Sequence, residues 1–312
     1  MNENRQNGCY KNLAAQVNSI MKNSNEGSIK TRYRYLEAEK RCMEYTAEKW
    51  GLQKVQNFSS KHLISYVDFM KEKGLSPSMI KTEIAGIRWF HKHSGSKNIL
   101  IDNSKLDLQQ REYGKVNRAW LPQEIKGAIE VGKYYGRMDF VYAVQFSHLF
   151  SLRLEEICNL RISEIEKCKT FSELKITGKG GRTRYVQMTT PEQKALIQEA
   201  LNYAKDNNLS KTDRLITDNR KGGVEKEKKS LENFLSNHKD KFILSDRQKY
   251  IVGNRVLSET LTMHGLRSTF SQALYKELKE NNPHLSDKEI RLRISEALGH
   301  GRLEVFRRHY EA

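Results

Sequence analysis

The chain has few prolines, few cysteines and no long apolar run. Only 4 of its 312 residues are proline, and helix-favouring residues occur throughout, which predicts a mostly α-helical fold because proline interrupts helices. Its four cysteines form no CxxC pair and no Cys/His ligand spacing, so neither a zinc site nor a disulfide framework is expected. No apolar run approaches the length of a membrane-spanning helix. The cysteines are Cys9, Cys42, Cys158 and Cys168.

The sequence also lacks a secretory leader and a balance of charge. Its first ten residues, MNENRQNGCY, are polar and do not resemble a signal peptide. We therefore expect a reduced, soluble, cytoplasmic protein without membrane contact. Lys and Arg number 55 against 38 Asp and Glu, for a net charge of +17, and this surplus favours a polyanionic partner, most simply nucleic acid. A crowded basic surface without such a partner is the alternative.

The length and the helical pattern predict two domains. Residues 1–27 are polar and are interpreted as a flexible N-terminal arm. Three amphipathic helices over 28–105 predict a helical domain. The helical period is lost over 106–120, which predicts a linker to a second domain over 121–312. Within that domain, ELKIT and RTRYVQM predict two short strands joined by GKGG, so the expected fold is mainly α with one small β-hairpin.

Two predicted helices of the first domain carry aligned cations. One begins after Ser28 and the other after Ser76, both of them N-cap residues. Cations that recur on one helix face suit the phosphates of duplex DNA, whereas a solvated helix face explains the same spacing. The candidate DNA-binding residues are Lys30, Arg34 and Arg41 on one helix, and Lys81, Arg88 and Lys92 on the other. The apolar residues expected to be buried on the first of these helices are Ile29, Tyr33, Leu36, Met43, Ala47 and Trp50.

Two arginines of the second domain each have a close chemical partner. Arg153 follows an apolar helix, and Glu156 lies three residues later, so Glu156 is predicted to hold the arginine. His264 and Arg267 lie together at the predicted start of a helix, where an anion such as phosphate is favoured. An ordinary surface ion pair and a capping histidine are the alternatives. The lysine-rich segment 221–241 is expected to be exposed and outside any site.

Three further residues stand at the ends of predicted elements. Lys179 lies at the tip of the hairpin between glycines, and His300 follows Gly299 at the end of a helix. Tyr310 is the only tyrosine after Tyr275. Beside a histidine in a basic protein, its phenol is either a nucleophile aimed at a phosphate or an aromatic plug that holds a C-terminal helix in place.

The ordered pieces LRLEEI, GKGGRTR, HGLRSTF, LGHGR and the late Tyr310 resemble the tyrosine recombinase (phage integrase) family. The resemblance extends over nearly the whole chain and is strongest over 121–312. Each piece alone is unspecific, but their common order and spacing are characteristic of the family. One departure is that Tyr310 lies about one residue farther from the Gly-His pair than in the usual family pattern.

The resemblance implies a role for each of these residues. Arg153 and Arg267 would grip the non-bridging oxygens of the phosphodiester, and Tyr310 would attack the phosphorus to form a 3′-phosphotyrosyl link. Lys179 would protonate the departing 5′-oxygen. His264 would assist proton transfer or bind the phosphate, and His300 would hydrogen-bond the phosphate or the nucleophile. Glu156 would support Arg153. No metal and no other cofactor is expected.

The implied protein is a site-specific DNA recombinase or integrase, as encoded by mobile genetic elements. A helical SAM-like core-binding domain and an integrase catalytic domain would form a clamp round double-stranded DNA. Four protomers would assemble on paired recombination sites and exchange strands through a Holliday junction, with accessory directionality or DNA-bending proteins as further partners. The alternatives are DNA relaxation of the type IB topoisomerase kind and a non-catalytic DNA-binding protein on the same scaffold.

Overall fold

The computed structural model divides into two compact units, Met1–Glu112 and Tyr113–Ala312. The division falls inside the predicted linker, but both ends of that linker pack into a unit, because Leu106 is buried in the first core and Trp120 in the second. Among the described residues, no helix is long and apolar enough to cross a bilayer. The structure describes residues 3–110, 116–178, 181–218, 222–252 and 255–299.

In its described residues, the first unit has four α-helices around one core. They are α1 (Glu3–Asn23), α2 (Ile29–Trp50), α3 (Ser60–Glu72) and α4 (Pro77–His93). Helices α1 and α4 both pack against α2, and α3 contacts α2 and α4. The starts of α2 and α4 are as predicted, because the hydroxyls of Ser28 and Ser76 accept hydrogen bonds from the N–H groups of Thr31 and Met79. Helix α2 ends at Gly51 in the left-handed conformation, with φ of 60°.

Helix α1 corrects the prediction of a flexible N-terminal arm. Its residues Cys9, Leu13 and Val17 recur every four positions and are buried in the same core as α2, α3 and α4. The side chain of Gln16 also accepts a hydrogen bond from the N–H of Val55, at 3.0 Å. The polar residues between Cys9, Leu13 and Val17 favour the prediction of a flexible arm. One narrow apolar face is nevertheless enough to hold the helix against the core.

The predicted buried face of α2 is correct only in the middle of the helix. Leu36, Met43 and Ala47 are buried. The prediction is wrong for the end residues, because an apolar face is buried only where another element covers it. The exposed end residues are Ile29, Tyr33 and Trp50.

The second unit is arranged around one central helix. Its elements, in chain order, are α5 (Pro122–Tyr134), α6 (Met138–Phe150), α7 (Leu154–Asn159), α8 (Ile162–Phe171), β1 (Glu173–Thr177), β2 (Thr183–Gln187), α9 (Pro191–Asp206), α10 (Gly223–His238), β3 (Ile251–Val252), β4 (Arg255–Val256), α11 (Gly265–Asn281) and α12 (Asp287–Ala297). Helix α6 packs against two cores, because Phe146 and Phe150 face one and Phe140 and Val144 face the other.

The predicted hairpin is confirmed. Strands β1 and β2 are antiparallel, with Leu174 opposite Val186. Both of these side chains are buried in the core that contains α8 and α9. The N–H of Gly178 donates to the carbonyl of Arg182 at 2.8 Å, which closes the hairpin. Strands β3 and β4 form a second, very short antiparallel pair.

The lysine-rich segment 221–241 corrects another prediction. Most of it is helix α10, and Leu231, Phe234 and Leu235 lie in the core against α5, α6 and α11. Their spacing of three and one residues marks a single helix face. The many lysines around this face predict a wholly exposed segment, although one apolar face is buried.

Candidate active site around Glu156

A sharp change of direction after α6 places Arg153 and Glu156. Ser151 ends α6 in the left-handed conformation, with φ of 53°. Arg153 then caps the start of α7, and Glu156 occupies the third position of that helix. The backbone N–H of Arg153 donates to Glu156 Oε2 at 2.7 Å, which satisfies one of the free donors at the helix start. The two side chains therefore meet because the helix begins between them.

Glu156 is the centre of a cluster of guanidinium groups. Arg153 Nη1 lies 2.8 Å from Glu156 Oε1, and Arg267 Nη1 lies 3.9 Å from Oε2. Arg184, on β2, donates twice, with Nη1 2.7 Å from Oε1 and Nη2 2.8 Å from Oε2. We call this group, Arg153, Glu156, Arg184 and Arg267, the arginine cluster. Three cations share one carboxylate, so the cluster carries excess positive charge.

The electrostatics of the cluster keep Glu156 ionised. Burial by itself raises the pKa of this carboxyl, but the hydrogen bonds and charge of Arg184, together with those of Arg153, outweigh burial and bring the pKa to about 2. Only 3% of the Glu156 side chain is exposed. Glu156 is therefore a permanent anion that fixes the positions of the surrounding guanidinium groups.

Arg153 and Arg267 converge on one carbonyl oxygen. Arg267 Nη2 donates to the carbonyl of Leu298 at 2.9 Å, and Arg153 Nη2 approaches the same oxygen at 3.5 Å. Arg267 also donates to the carbonyl of Ser151. Arg267 is only 1% exposed, whereas 33% of the Arg153 side chain is exposed. The two guanidinium groups thus already bind a single oxygen acceptor together.

His264 is positioned by a close approach of two backbones. It caps the N-terminus of α11, and Gly265 follows as the first helical residue. A Cβ on Gly265 would lie 2.2 Å from the carbonyl oxygen of Arg118 and 3.0 Å from the Trp120 ring. The Trp120 ring N–H in turn donates to the carbonyl of Thr262 at 2.9 Å. The Gly after His264 is therefore required for the helix to start at this place.

A cavity of about 500 Å³ opens at this end of the second unit. Arg153, His264 and Arg267 line it together, so the structure brings three of the predicted residues to one space. Helix α10 supplies Lys228 to the lining, and Lys239 follows from the same segment. Lys239 Nζ donates to the hydroxyl of Thr260 at 3.2 Å. The cavity thus combines four cations from three parts of the unit with the two acids Glu155 and Glu232, and this excess of positive charge suits an anionic ligand.

Two glycines bring the chain to the arginine cluster. A Cβ on Gly178 would lie 3.0 Å from Glu156 Oε1, and one on Gly299 would lie 2.9 Å from Arg184 Cδ. Gly178 precedes Lys179 in sequence, and Gly299 precedes His300. Lys179, His300 and Tyr310 themselves lie outside the residues that the structure describes.

Solved structures with DNA-recombining activity have this architecture. XerH site-specific recombinase bound to palindromic difH substrate, in a post-cleavage complex, is 18% identical, with a TM-score of 0.60 over 98% of this chain and 84% of that one. The Tn1549 transposon integrase in complex with transposon right end DNA is 13% identical, with a TM-score of 0.58 over 96% and 95%. A lambda integrase tetramer bound to a Holliday junction is 15% identical, with a TM-score of 0.58 over 92% and 77%. The chain has the tyrosine recombinase fold.

The likeness is one of fold, because all three identities are low. No family model matches the sequence, and no curated protein matches it. For this chain, the site of the tyrosine recombinase fold must therefore be assigned from its own residues.

One member of the arginine cluster was missed in the sequence. Arg184 lies within GKGGRTR, but that motif drew attention only to Lys179. A signal was present, because side chains alternate along a strand. Val186 is buried in the core, and Arg184, two residues earlier, must point to the same side of the hairpin. Lys228 and Lys239 were also missed, since segment 221–241 was interpreted as exposed.

The candidate DNA-binding cations of the first unit have varied surroundings. Arg41 pairs with Glu83 of α4, with Nη2 2.7 Å from Oε1. Lys92 Nζ lies 2.9 Å from Glu26 Oε2. The remaining candidates divide as follows: Arg88 donates to Asn103 and to the carbonyl of Ile101, Lys30 and Arg34 are exposed, and Lys81 is half-buried.

Proposed function

We propose that the protein is a tyrosine site-specific recombinase that cuts and rejoins duplex DNA. The observation that carries the proposal is the shared acceptor of Arg153 and Arg267. Two guanidinium groups that already bind one carbonyl oxygen, beside His264 in an open cavity, have the arrangement that a phosphodiester needs. Two arginines remain charged at any working pH and stabilise the extra negative charge of the transition state.

The scissile phosphate would replace the Leu298 carbonyl as the acceptor. A phosphate oxygen carries more negative charge than a carbonyl oxygen, and hydrogen bonds between charged groups are roughly twice as strong as neutral ones. Arg153, which is partly exposed, would meet the phosphate first. Arg267, which is almost fully buried, would engage it as the end of α12 moves aside.

The residues outside the described ranges complete the proposed chemistry. Tyr310 would attack the phosphorus, forming the 3′-phosphotyrosyl bond while the bond to the 5′-oxygen breaks. Lys179 would donate a proton to that oxygen, and His264 would assist removal of the phenolic proton. His300 would hydrogen-bond the phosphate or the nucleophile. A free 5′-hydroxyl of a second DNA strand would then attack the phosphotyrosyl link and release Tyr310.

The partner would be double-stranded DNA with specific sites. XerH, the Tn1549 integrase and lambda integrase are each seen with DNA, and lambda integrase as a tetramer on a Holliday junction. By analogy of fold, four protomers of this chain would act on paired sites, within the life of a mobile element. Accessory directionality or DNA-bending proteins would act beside them, and the reaction would take place in the cytoplasm.

Covalent capture tests the proposal. The chain is incubated with a pool of duplexes that carry a randomised segment and a nick, so that cleavage releases a short fragment and traps the enzyme on the DNA. Adducts that resist denaturing detergent are collected and sequenced, which also reveals the preferred site. We expect an adduct from the unaltered chain and none from Tyr310→Phe, because phenylalanine lacks the attacking oxygen.

The alternatives give different results in the same assay. Binding to duplex without any adduct would identify a non-catalytic DNA-binding protein. An adduct combined with relaxation of a supercoiled plasmid, but no exchange between two copies of the captured site, would identify a topoisomerase of type IB. An adduct that survives Tyr310→Phe would refute the assigned nucleophile.

A further inference from the structure

We infer that Arg184 is a positioning residue of the reaction, which holds Glu156 and, through it, the phosphate-binding Arg153. This inference rests on the proposed recombinase function. Arg184 stands on β2, a different element from every residue assigned above, and its role requires no contact with DNA.

The geometry of Arg184 is that of an internal support. Only 9% of its side chain is exposed. Its two terminal nitrogens donate to the two oxygens of Glu156 in a parallel, bidentate arrangement, and Nη2 also approaches the carbonyl of Ser151 at 3.3 Å. Such a fork fixes both the position and the rotation of a carboxylate. Glu156 cannot turn without breaking two charged hydrogen bonds.

Arg184 acts on Arg153 through one shared oxygen. Glu156 Oε1 accepts from Arg184 Nη1 at 2.7 Å and from Arg153 Nη1 at 2.8 Å. Without Arg184, Glu156 would keep the backbone N–H and the guanidinium of Arg153 as partners, but it would lose the fork that fixes its rotation. Arg153 would then lose its fixed direction toward the cavity. A misplacement of about 1 Å in such a group costs roughly 10²-fold in rate.

Arg184 also lies near two positions that adjoin catalytic candidates outside the described residues. It lies on the strand that follows Lys179, and its stem packs against Gly299, the residue before His300. Gly299 has φ of +70°, and an added Cβ would lie 2.9 Å from Arg184 Cδ. The absence of a side chain at Gly299 thus gives Arg184 its place. Arg184 thus joins the hairpin to the arginine cluster, and its stem lies against Gly299.

The main alternative is an ordinary buried ion pair that only stabilises the fold. One feature argues for a role in positioning. Glu156 already has a partner in Arg153, so pairing alone does not require a second arginine. The charged groups that face Glu156 are Arg153 beside it, Arg184 from β2 and Arg267 from α11; its neighbour Glu155 pairs with Lys228.

The test compares Arg184→Gln, Arg184→Lys and Arg137→Gln in the full chain. Arg137 is the matched control, since it is a partly buried arginine with its own bidentate partner, Asp139, and lies outside the arginine cluster. The cleavage rate is measured at saturating concentration of the captured nicked duplex. The dissociation constant for that duplex is measured in a Tyr310→Phe background, where no chemistry occurs.

For a positioning residue, we expect the rate of Arg184→Gln to fall about 10²-fold with a much smaller change in DNA affinity. Arg184→Lys keeps the charge but not the fork, so its cleavage rate should lie between those of Arg184→Gln and the unaltered chain. The double variant with Glu156→Gln should be no slower than the slower single variant, because both act in one chain of contacts. Arg137→Gln should cleave at the unaltered rate.

A second readout needs no DNA. Removing Arg184 takes away the largest influence that lowers the pKa of Glu156. The carboxyl should therefore titrate at higher pH in Arg184→Gln and, less so, in Arg184→Lys, as followed by carbon NMR of the labelled glutamate. The acidic limb of the cleavage profile should shift in the same direction. A failure of the proposed function would remove the cleavage result but leave this titration intact.

Three results would overturn the inference. The first is that Arg184→Gln loses DNA affinity but keeps the cleavage rate, while the slope of log affinity against log salt falls by about one phosphate contact. That result would make Arg184 a DNA ligand. Another is a rate and a Glu156 titration that both match the unaltered chain. The third applies if Arg184→Gln does not fold: an Arg184→Lys variant that folds and cleaves at full rate would show that charge alone suffices.

Discussion

The arginine cluster of the second unit and two ion pairs of the first unit hold their cations in opposite ways. In the arginine cluster of the second unit, Arg153, Arg184 and Arg267 share the single carboxylate of Glu156. In the first unit, Arg41 has Glu83 and Lys92 has Glu26, each cation with an acid of its own. The arginine cluster leaves an excess of positive charge beside a cavity, whereas each of the two ion pairs in the first unit is close to neutral.

This contrast shows why helical spacing alone is a weak guide to anion binding. Lys30, Arg34 and Arg41 share one stripe of α2 in the sequence, but Arg41 reaches across to a buried acid of α4. An exposed ion pair contributes little to stability, and a cation held by an acid offers less charge to a phosphate. What distinguishes a binding site is the ratio of cations to acids in one place.

Substitution of Glu156 should give the largest effect. Glu156→Gln removes the one anion among three guanidinium groups, so their mutual repulsion is no longer balanced. Breaking a buried ion pair in this way costs about 3–5 kcal/mol of unfolding free energy, and cleavage should fall by about 10²-fold or more. Chemical denaturation and covalent capture measure the two effects.

The neighbouring acid gives a matched control. Glu155 is exposed on the same helix and pairs with Lys228 at 3.7 Å. Glu155→Gln should change the unfolding free energy by no more than about 0.5 kcal/mol. If Glu156→Gln and Glu155→Gln changed the unfolding free energy equally, the arginine cluster would contribute no more to stability than an exposed ion pair.

The pH dependence of stability should come next in size. The pKa of Glu156 is lowered from 4.5 to about 2 in the folded state, so the folded form binds the proton less tightly than the unfolded form. The resulting stabilisation, about 3 kcal/mol, is fully present above pH of about 4.5 and is lost as the pH falls through about 2.

Denaturation of the unaltered chain and of Glu156→Gln at several pH values measures this contribution. The difference between their unfolding free energies should be constant near neutrality. It should shrink as the pH falls below the pKa of the Glu156 carboxyl in the unfolded chain. A difference that stays the same down to the acid limit would show that Glu156 does not depend on its charge.

The same contrast explains what the sequence could and could not predict. Helix starts at Ser28 and Ser76 follow from local capping chemistry, and the structure confirms them. The hairpin follows from strand propensity and glycine. These features depend on residues within a few positions of one another.

The errors concern contacts between distant residues. Burial of α1 and α10 depends on partners that no local pattern names, and the Arg41–Glu83 pair joins residues on two helices. The cluster was predicted in part because Arg153 and Glu156 lie three residues apart, and because Arg267 lies with His264 at the predicted start of a helix. Arg184 required the fold, since only the hairpin register brings it to Glu156.

In the first unit, Arg41→Gln should reduce stability more than it reduces DNA binding. Glu83 is only 5% exposed, so loss of Arg41 leaves a buried carboxylate without its charged partner, at a cost of about 1–3 kcal/mol. The double variant Arg41→Gln with Glu83→Gln should recover part of this loss. A double variant less stable than the single variant would contradict the assigned pair.

The smallest effect is expected for Arg34, which is exposed on α2 and shares its face with Glu37. If this face meets DNA, Arg34→Gln should leave stability within about 0.5 kcal/mol but lower the slope of log affinity against log salt by about one unit. Glu37→Gln is the matched control, because removing a negative charge from the same face should strengthen binding. Identical salt slopes for Arg34→Gln, Glu37→Gln and the unaltered chain would show that this face does not touch DNA. The first unit's contribution would then have to come from another surface, and the cation excess of the arginine cluster would be the better marker of where this protein meets phosphate.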